Sequence, residues 1–311
     1  MKPFLRSIEV WVPSADRSHL RLSEGLYGKC SSFAEVSKDT TFAFGEGLPG
    51  KVWAEGEPVI LKSIENSYFK RLSEAKEAGL AGGIAVPVYA GEYLMAVLVF
   101  LFAGGDRMQA GAVEIWASDT PGELALKDGY YGSLDDFAWI SKRIRFQRGK
   151  GLPGQAWMTR LPVLMGELGN SDSFLRAQDA KRSGLTTGLA LPCFCPAQKD
   201  YIVTLLSASE FPLAQRFEIW VPAPDRSRLV FTDGCALEGP LLKSAYLKSS
   251  LVKGQGAIGR AWELGIPVVL DGVISEPVLA SGKTGTHPPS SMLAIPILDM
   301  GALSSVVAFY L

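Results

Sequence analysis

Polar and apolar residues alternate from Ile8 to Pro13 and again, after a turn over Ser14–Ser18, from His19 to Leu22. A two-residue period broken by turn-forming residues predicts a β-hairpin. The same pattern returns at Phe217–Pro222, with a turn over Ala223–Ser227 and a partner strand over Arg228–Phe231. Between them, Asp119-Thr120-Pro121-Gly122 marks a tighter turn in a third copy. The period then changes. Leu48, Val52 and Trp53, and later Leu152, Ala156 and Trp157, fall at i, i+4 and i+5 on one face of a short helix. Pro49 and Pro153 are placed as its first residue, where a missing N–H costs nothing. Gly56 and Gly265 suit a left-handed end, while Arg160 holds that place in the middle copy. Pro58-Val59-Ile60-Leu61, Pro162-Val163-Leu164-Met165 and Pro267-Val268-Val269-Leu270 read as strands that begin on proline. A second helix is expected in two copies, where Phe69, Leu72, Ala75 and Gly79 match Phe174, Ala177, Ala180 and Gly184. Asn66-Ser67 and Ser171-Asp172 offer it N-cap chemistry. Two strands close each copy, over 83–89 with 93–102, 188–194 with 201–207, and 291–298 with 303–310.

The chain therefore says nearly the same thing three times. Glu9-Val10-Trp11, Glu114-Ile115-Trp116 and Glu218-Ile219-Trp220 open three segments whose tryptophans are 105 and 104 residues apart. Each carries a glycine-rich helix opener, at Gly45–Gly50, Gly149–Gly154 and Gly254–Gly259. A period this long makes each copy a small domain rather than a solenoid repeat. The expected units are 1–104, 105–210 and 211–311. The order strand, strand, helix, strand, helix, strand, strand predicts an α+β fold, an antiparallel sheet with short helices on one face.

Here the motifs become specific. The E-x-W opening, the G-x-G-L-P-G-x-x-W helix start, the F-x-R-x-x-x-A-x-x-x-G-L helix and the following proline-containing strand together resemble GAF domains. The resemblance spans nearly all of the first two units. It fails in the third at the second helix, where Val278 and Ala280 stand in place of Phe69 and Arg71 and are followed by Gly282, Gly285, Pro288 and Pro289. It implies small-molecule-sensing or dimerising modules and names no ligand, because fold is not function. Two departures from the family pattern stand out. The units follow one another with about ten residues between them, too few for the helices that usually back a GAF sheet. The chain also reaches Leu311 inside its last expected strand, with no kinase, cyclase, phosphodiesterase or DNA-binding segment in it.

Composition narrows the function further. With 31 basic and 32 acidic residues among 311, no whole-chain field favours nucleic acid or an anionic membrane. The longest apolar run, Leu94 to Phe102, suits a buried strand rather than a membrane span. Cys30, Cys193, Cys195 and Cys235 do not follow the repeat, so they are no disulfide framework. A reducing, cytoplasmic location follows. The i, i+2 spacing of Cys193 and Cys195 is wrong for an unstrained disulfide. The glycine openers lack the GK[ST] of a P-loop, and turn geometry explains them. Two isolated histidines, His19 and His287, furnish neither a catalytic triad nor a metal set. No signature of bilin, haem, metal or cyclic nucleotide is present, and the cofactor stays unknown. The cations Lys142, Arg143, Arg145, Arg148 and Lys150 form a run in the second unit alone, which reads as a solvated strand edge.

The expected function is a non-catalytic sensing or regulatory module acting through a separate partner. Its partners would be a small molecule and either another protein or a second copy. A ligand would lie between sheet and helices, lined by Trp53, Phe69 and Arg71 in unit one and by Trp157, Phe174 and Arg176 in unit two. The alternative is a scaffold whose pockets are filled by their own side chains. Three sheets without backing helices predict that the units close on one another or pair with a second chain. Unit three, with an irregular segment over 281–289, is expected to bind nothing.

Overall fold

A computed structural model of the chain describes residues 4–104, 111–196, 200–210, 212–236, 246, 249–272 and 289–311. The first unit runs β1 (Leu5–Pro13), β2 (His19–Leu26), α1 (Ser31–Asp39), β3 (Thr41–Ala43), α2 (Gly47–Glu55), β4 (Val59–Leu61), α3 (Leu72–Glu77), β5 (Leu80–Ala90) and β6 (Tyr93–Ala103). The second repeats it as β7 (Gly111–Thr120), β8 (Glu123–Tyr130), α4 (Asp135–Ser141), β9 (Phe146–Gln147), α5 (Gly151–Thr159), β10 (Val163–Met165), α6 (Ala177–Arg182), β11 (Thr187–Phe194) and β12 (Asp200–Ser207). The third contains β13 (Arg216–Pro222), β14 (Leu229–Ala236), β15 (Ser250–Leu251), α7 (Gly256–Leu264), β16 (Val268–Asp271), β17 (Ser291–Asp299) and β18 (Ala302–Tyr310). Each unit is one six-stranded sheet, and in the first the order is β3-β2-β1-β6-β5-β4. All the strand pairs are antiparallel. The fold is α+β, three copies of one sheet with short helices.

The first two strands of every unit share a bulge. The register shifts between Val10 and Trp11, between Ile115 and Trp116, and between Ile219 and Trp220. A bulge twists the pair and re-aims the side chain beside it. Here that side chain is each time the buried tryptophan of the E-x-W motif.

The glycine opener is explained by packing. Gly47, Gly151 and Gly256 hold positive φ of 59°, 65° and 60°, where a side chain would be strained. The next glycine, at Gly50, Gly154 and Gly259, lies against the edge strand or the turn after it. A Cβ there would run into the carbonyl oxygen of Ala43, Gln147 or Val252. The helix ends are left-handed in all three units, at Gly56, Gly265 and also Arg160 with φ of 57°.

Three sequence expectations need correction. The helices α1 and α4 and the short edge strands β3 and β9 were not legible, because α1 buries only Phe33 and Ser37 and so has little apolar period. The second helix is only six residues long and begins after Arg71 and Arg176 rather than at Asn66-Ser67 or Ser171-Asp172. Ser67 instead accepts the Phe69 N–H in a local turn at 3.2 Å. Pro49 is the third helical residue after the N-cap Glu46, still within the turn whose N–H groups have no helical acceptor. The segment 281–288 lies outside the described residues.

The chain divides into two compact bodies, Met1–Leu213 and Ala214–Leu311. Within the first, sheets one and two are joined by rings and charges. Phe102 stacks on Phe4 at 4.8 Å and on Tyr130 at 5.3 Å. Lys62 pairs with Asp128 and Lys127 with Glu57, both at 2.7 Å. The sheet face away from the helices is buried in both, as Val10 and Phe100 in one and Val113 and Val203 in the other show.

Candidate functional site

The space between sheet and helices in unit one is organised around a charge. The bulge after Val10 keeps Glu9 and Trp11 on the helix side of β1, and Glu9 is fully buried. An isolated carboxylate there would be strongly destabilising unless paired and hydrogen-bonded. Arg71, at the N-cap of α3, supplies the pair. Its Nη1 donates to Glu9 Oε1 and to Ser37 Oγ, and its Nη2 donates to Glu9 Oε2 at 2.8 Å. Trp11 Nε1 donates to Glu9 at 3.0 Å and the Tyr27 hydroxyl at 3.1 Å. The Ser37 hydroxyl in turn donates a hydrogen bond to the Phe33 carbonyl at 2.6 Å. Burial works to raise the Glu9 carboxyl, but the charge and hydrogen bonds of Arg71 outweigh it and hold the group below the usual carboxylate range. Tyr27 is pushed up by burial and by the Glu9 charge, so it stays a donor.

Aromatic rings close the rest of the cage. The guanidinium carbon of Arg71 lies 4.5 Å from the Phe33 ring, 5.2 Å from Trp11, 5.4 Å from Phe69 and 5.6 Å from Phe42. A cation surrounded by π-faces with a bidentate carboxylate below it is neutralised and closed off, with only the buried Arg71 Nε left without a hydrogen-bond partner.

Unit two repeats the arrangement nearly atom for atom. Arg176 donates to Glu114 through Nη1 at 2.5 Å and Nη2 at 2.9 Å, and Trp116, Tyr131 and Ser141 take the places of Trp11, Tyr27 and Ser37. Thr204 adds a hydroxyl donor to Glu114 at 2.8 Å. Its cage rings are Phe137, Phe174, Trp116 and Phe146, at 4.5 to 5.6 Å. Burial again acts to raise Glu114, and Arg176 overcomes it.

Unit three reaches the same chemistry by another route. Arg216, two residues before Glu218 on β13, donates to its carboxylate. Trp220 Nε1 and the Tyr310 hydroxyl donate to the other oxygen at 2.9 Å and 3.0 Å. The guanidinium stacks on Tyr246 and Tyr310 at 4.6 Å and 4.8 Å. Ser7 and Ala112 stand at the matching position in the other units. Here the cation sits on a strand rather than at the N-cap of a helix, while the buried acid holds the same place.

The sequence-predicted residues divide accordingly. Phe69 with Arg71, and Phe174 with Arg176, come together in the cages, all four buried. Trp157 is buried beneath Arg148, whose guanidinium lies 4.3 Å from its ring. Trp53 is half-buried and sits edge-on to Phe44 at 5.4 Å. Sequence reasoning missed Glu9, Tyr27 and Ser37 with their counterparts. One signal was available, since Arg71 follows Glu9 and Arg176 follows Glu114 by the same 62 residues.

Two surface clefts lie near these elements. One, of about 510 Å³, runs past the backbone end of the first cage between Asp39, Thr40, Lys70, Arg71 and Glu74. The other, of about 460 Å³, lies where units one and two meet, lined by Lys51, Glu55, Tyr68, Ile115 and Lys127. Among the described residues no three of His, Cys, Asp or Glu converge as a metal set. No helix among the described residues is long and apolar enough to cross a membrane.

A GAF domain model matches the chain from β1 into β7. Residues 10–118 are a GAF domain match. The second and third units repeat the sheet of that GAF unit. Among solved structures, the nlh2 GAF domain of A. aeolicus in an inactive state is 22% identical, covers 33% of this chain and 60% of its own, and has a TM-score of 0.27. The GAF domain of a phosphoenolpyruvate-protein phosphotransferase from Coxiella burnetii is 19% identical over 32% of this chain and 56% of its own, with a TM-score of 0.27. A free methionine-R-sulfoxide reductase from Neisseria meningitidis is 18% identical over 33% of this chain, with a TM-score of 0.26, and 56% of its length is spanned. No curated protein matches the chain. GAF domains are generally sensory or regulatory modules.

Proposed function

We propose that this protein is a non-catalytic regulatory module that works through contact with a separate protein, its GAF cavities being closed by its own arginines. The observation that carries this reading is the closed, charge-neutral cage. In each unit the space between sheet and helices that would receive a ligand holds a guanidinium bound to a buried glutamate and covered by rings. Opening it for a metabolite would leave Glu9 or Glu114 buried without its counter-charge, at a cost of about 3–5 kcal/mol before any ligand is bound. Cys30, Cys193, Cys195 and Cys235 are free thiols, which supports the cytoplasm as its location.

A second reading, a small-molecule sensor in units one and two, is favoured by the 510 Å³ cleft beside Arg71. In that case Trp53, Phe69 and Arg71, with Trp157, Phe174 and Arg176, would line the site after the ion pair opened. Native mass spectrometry of the full chain, purified without additives, separates the two. The regulatory reading expects the mass of the polypeptide or of whole multiples of it. A reproducible extra mass that is lost in Arg71→Met or Arg176→Met would establish the sensor instead.

A further inference from the structure

The cations of the second unit remain outside both readings of the cage. Lys142, Arg143, Arg145, Arg148 and Lys150 are all exposed, and none is paired with a carboxylate among the described residues. The equivalent stretch of unit one is balanced, with Lys38 paired to Glu35 at 2.7 Å and Glu46 paired to Lys70 at 2.8 Å. These cations follow α4, flank the edge strand β9 and reach the N-cap of α5 at Lys150, where the helix adds its positive end.

Guarding a sheet edge does not account for the surface. The corresponding edge strand β3 occupies the same place in its sheet and is covered by a single cation, Lys70, which donates to the Thr41 carbonyl at 3.3 Å and is itself paired with Glu46. Apolar groups are also displayed among the charges. Trp139, Met158 and Leu175 are 57%, 56% and 50% exposed. Met158 and Leu175 lie beside Gly149 and Gly151, within the cationic stretch. Two guanidiniums are fixed in orientation, since Arg143 stacks on the Trp139 ring at 3.8 Å and Arg148 on the Trp157 ring at 4.3 Å. Arg143 gives one Nη1 donor to the Trp139 carbonyl at 3.0 Å, and the remaining N–H groups of a stacked guanidinium lie in a fixed plane, which lowers the entropy cost of binding a carboxylate.

We propose that this face of unit two is the docking surface for an acidic segment of a partner protein, one carrying apolar side chains between its carboxylates. The proposal rests on the reading of the protein as a module acting through protein contacts, and supplies the place and the chemistry. Charge complementarity sets the sign of the partner, and the exposed Trp139, Met158 and Leu175 demand apolar anchors within it. Nucleic acid fits less well, because Trp157 is buried and Arg143 covers one face of Trp139, which leaves few ring faces on which bases could stack.

The test uses the full chain and fluorescence polarisation with a labelled peptide of alternating Glu-Asp pairs and Leu or Phe. Comparison probes are a Lys-for-Glu version of that peptide, a poly-glutamate of equal length, a single-stranded oligonucleotide and phosphatidylserine vesicles. The acidic apolar peptide should bind more tightly than poly-glutamate and weaken as salt rises. R143E/R145E/K150E should lose about tenfold or more in affinity, W139A a smaller factor, and K29E on unit one nothing. Circular dichroism melts of the variants exclude unfolding as the cause. No binding of the acidic peptide, binding unaffected by the triple reversal, or binding of the oligonucleotide or vesicles in its place would each overturn the proposal. If peptide binding fails while the native mass remains that of the polypeptide, the surface falls and the regulatory reading stands.

Discussion

At the scale of single residues, the chain depends on three buried glutamates and the arginines that neutralise them. Replacing Arg71 with Met should destabilise unit one by about 3–5 kcal/mol, because Glu9 would be left buried without its counter-charge. Adding Glu9→Leu to Arg71→Met should recover much of that loss, since neither charge is then buried. Urea denaturation of the two variants and the parent would check both signs. A double variant no more stable than the single one would show that the cage packs only around the ion pair. The same pair fixes the response to acid. Glu9 and Glu114 are held below their ordinary values, so the folded state binds fewer protons than the unfolded chain through the acidic range. Their stabilisation is complete above the unfolded carboxylate value of about 4.3 and is lost as pH falls through the lower folded values. Melting temperature should therefore drop below about pH 4, and less steeply in the Glu9→Leu, Arg71→Met double variant.

At the scale of elements, the glycine openers set how closely α2, α5 and α7 approach the edge of their sheets. Gly154→Ala places a methyl against the carbonyl oxygen of Gln147, a backbone atom that cannot rotate away. A loss of about 2 kcal/mol or more is expected from such overpacking. Gly166→Ala, where nothing lies within 4 Å, is the control and should change little. Equal losses at the two positions, read from denaturant melts, would remove packing as the reason for the motif. Arg160 shows that the helix end is less demanding. It adopts φ of 57° without glycine and uses its side chain, bonded to Asp200 at 3.0 Å and stacked on Phe194 at 4.2 Å.

At the scale of the molecule, the first body joins two GAF-like units through a small polar seam over an apolar one. Glu57 is its polar centre, accepting from Lys127 at 2.7 Å and from the Tyr201 hydroxyl. Burial and the Glu57 charge push the Tyr201 phenol above its usual range, so it remains a donor. Glu57→Lys sets a cation against Lys127 and should lower the stability of the body by about 1–3 kcal/mol. Glu65→Lys, on a more exposed ion pair with Lys76, should cost less than about 1 kcal/mol. Calorimetry of the full chain reads the difference. Matching effects from the two reversals would mean that the seam contributes no more than an ordinary surface pair.

The sequence determined by itself what is local or periodic. Hairpins, the glycine-opened helices, their left-handed ends at Gly56 and Gly265 and the threefold repetition follow from alternation, proline and glycine placement, and spacing, because backbone sterics act within a few residues. The residues of the cage were equally visible as types, since Glu9, Glu114 and Glu218 open their segments and Arg71 and Arg176 recur. Their roles were not. Arg71 and Glu9 meet across 62 residues, and an arginine on a short helix looks the same whether it points to solvent or into the core. The helices α1 and α4 also escaped, although Ser37, Ser141, Phe33 and Phe137 come from them, because elements this short are stabilised by what they pack against rather than by their own pattern. Tertiary structure likewise decided the third unit, where Arg216 on β13 supplies the cation that Arg71 and Arg176 supply from N-cap positions in the other two. What the fold required was a positive charge at Glu218, and the need to neutralise a buried carboxylate acts through space, indifferent to which element carries the cation.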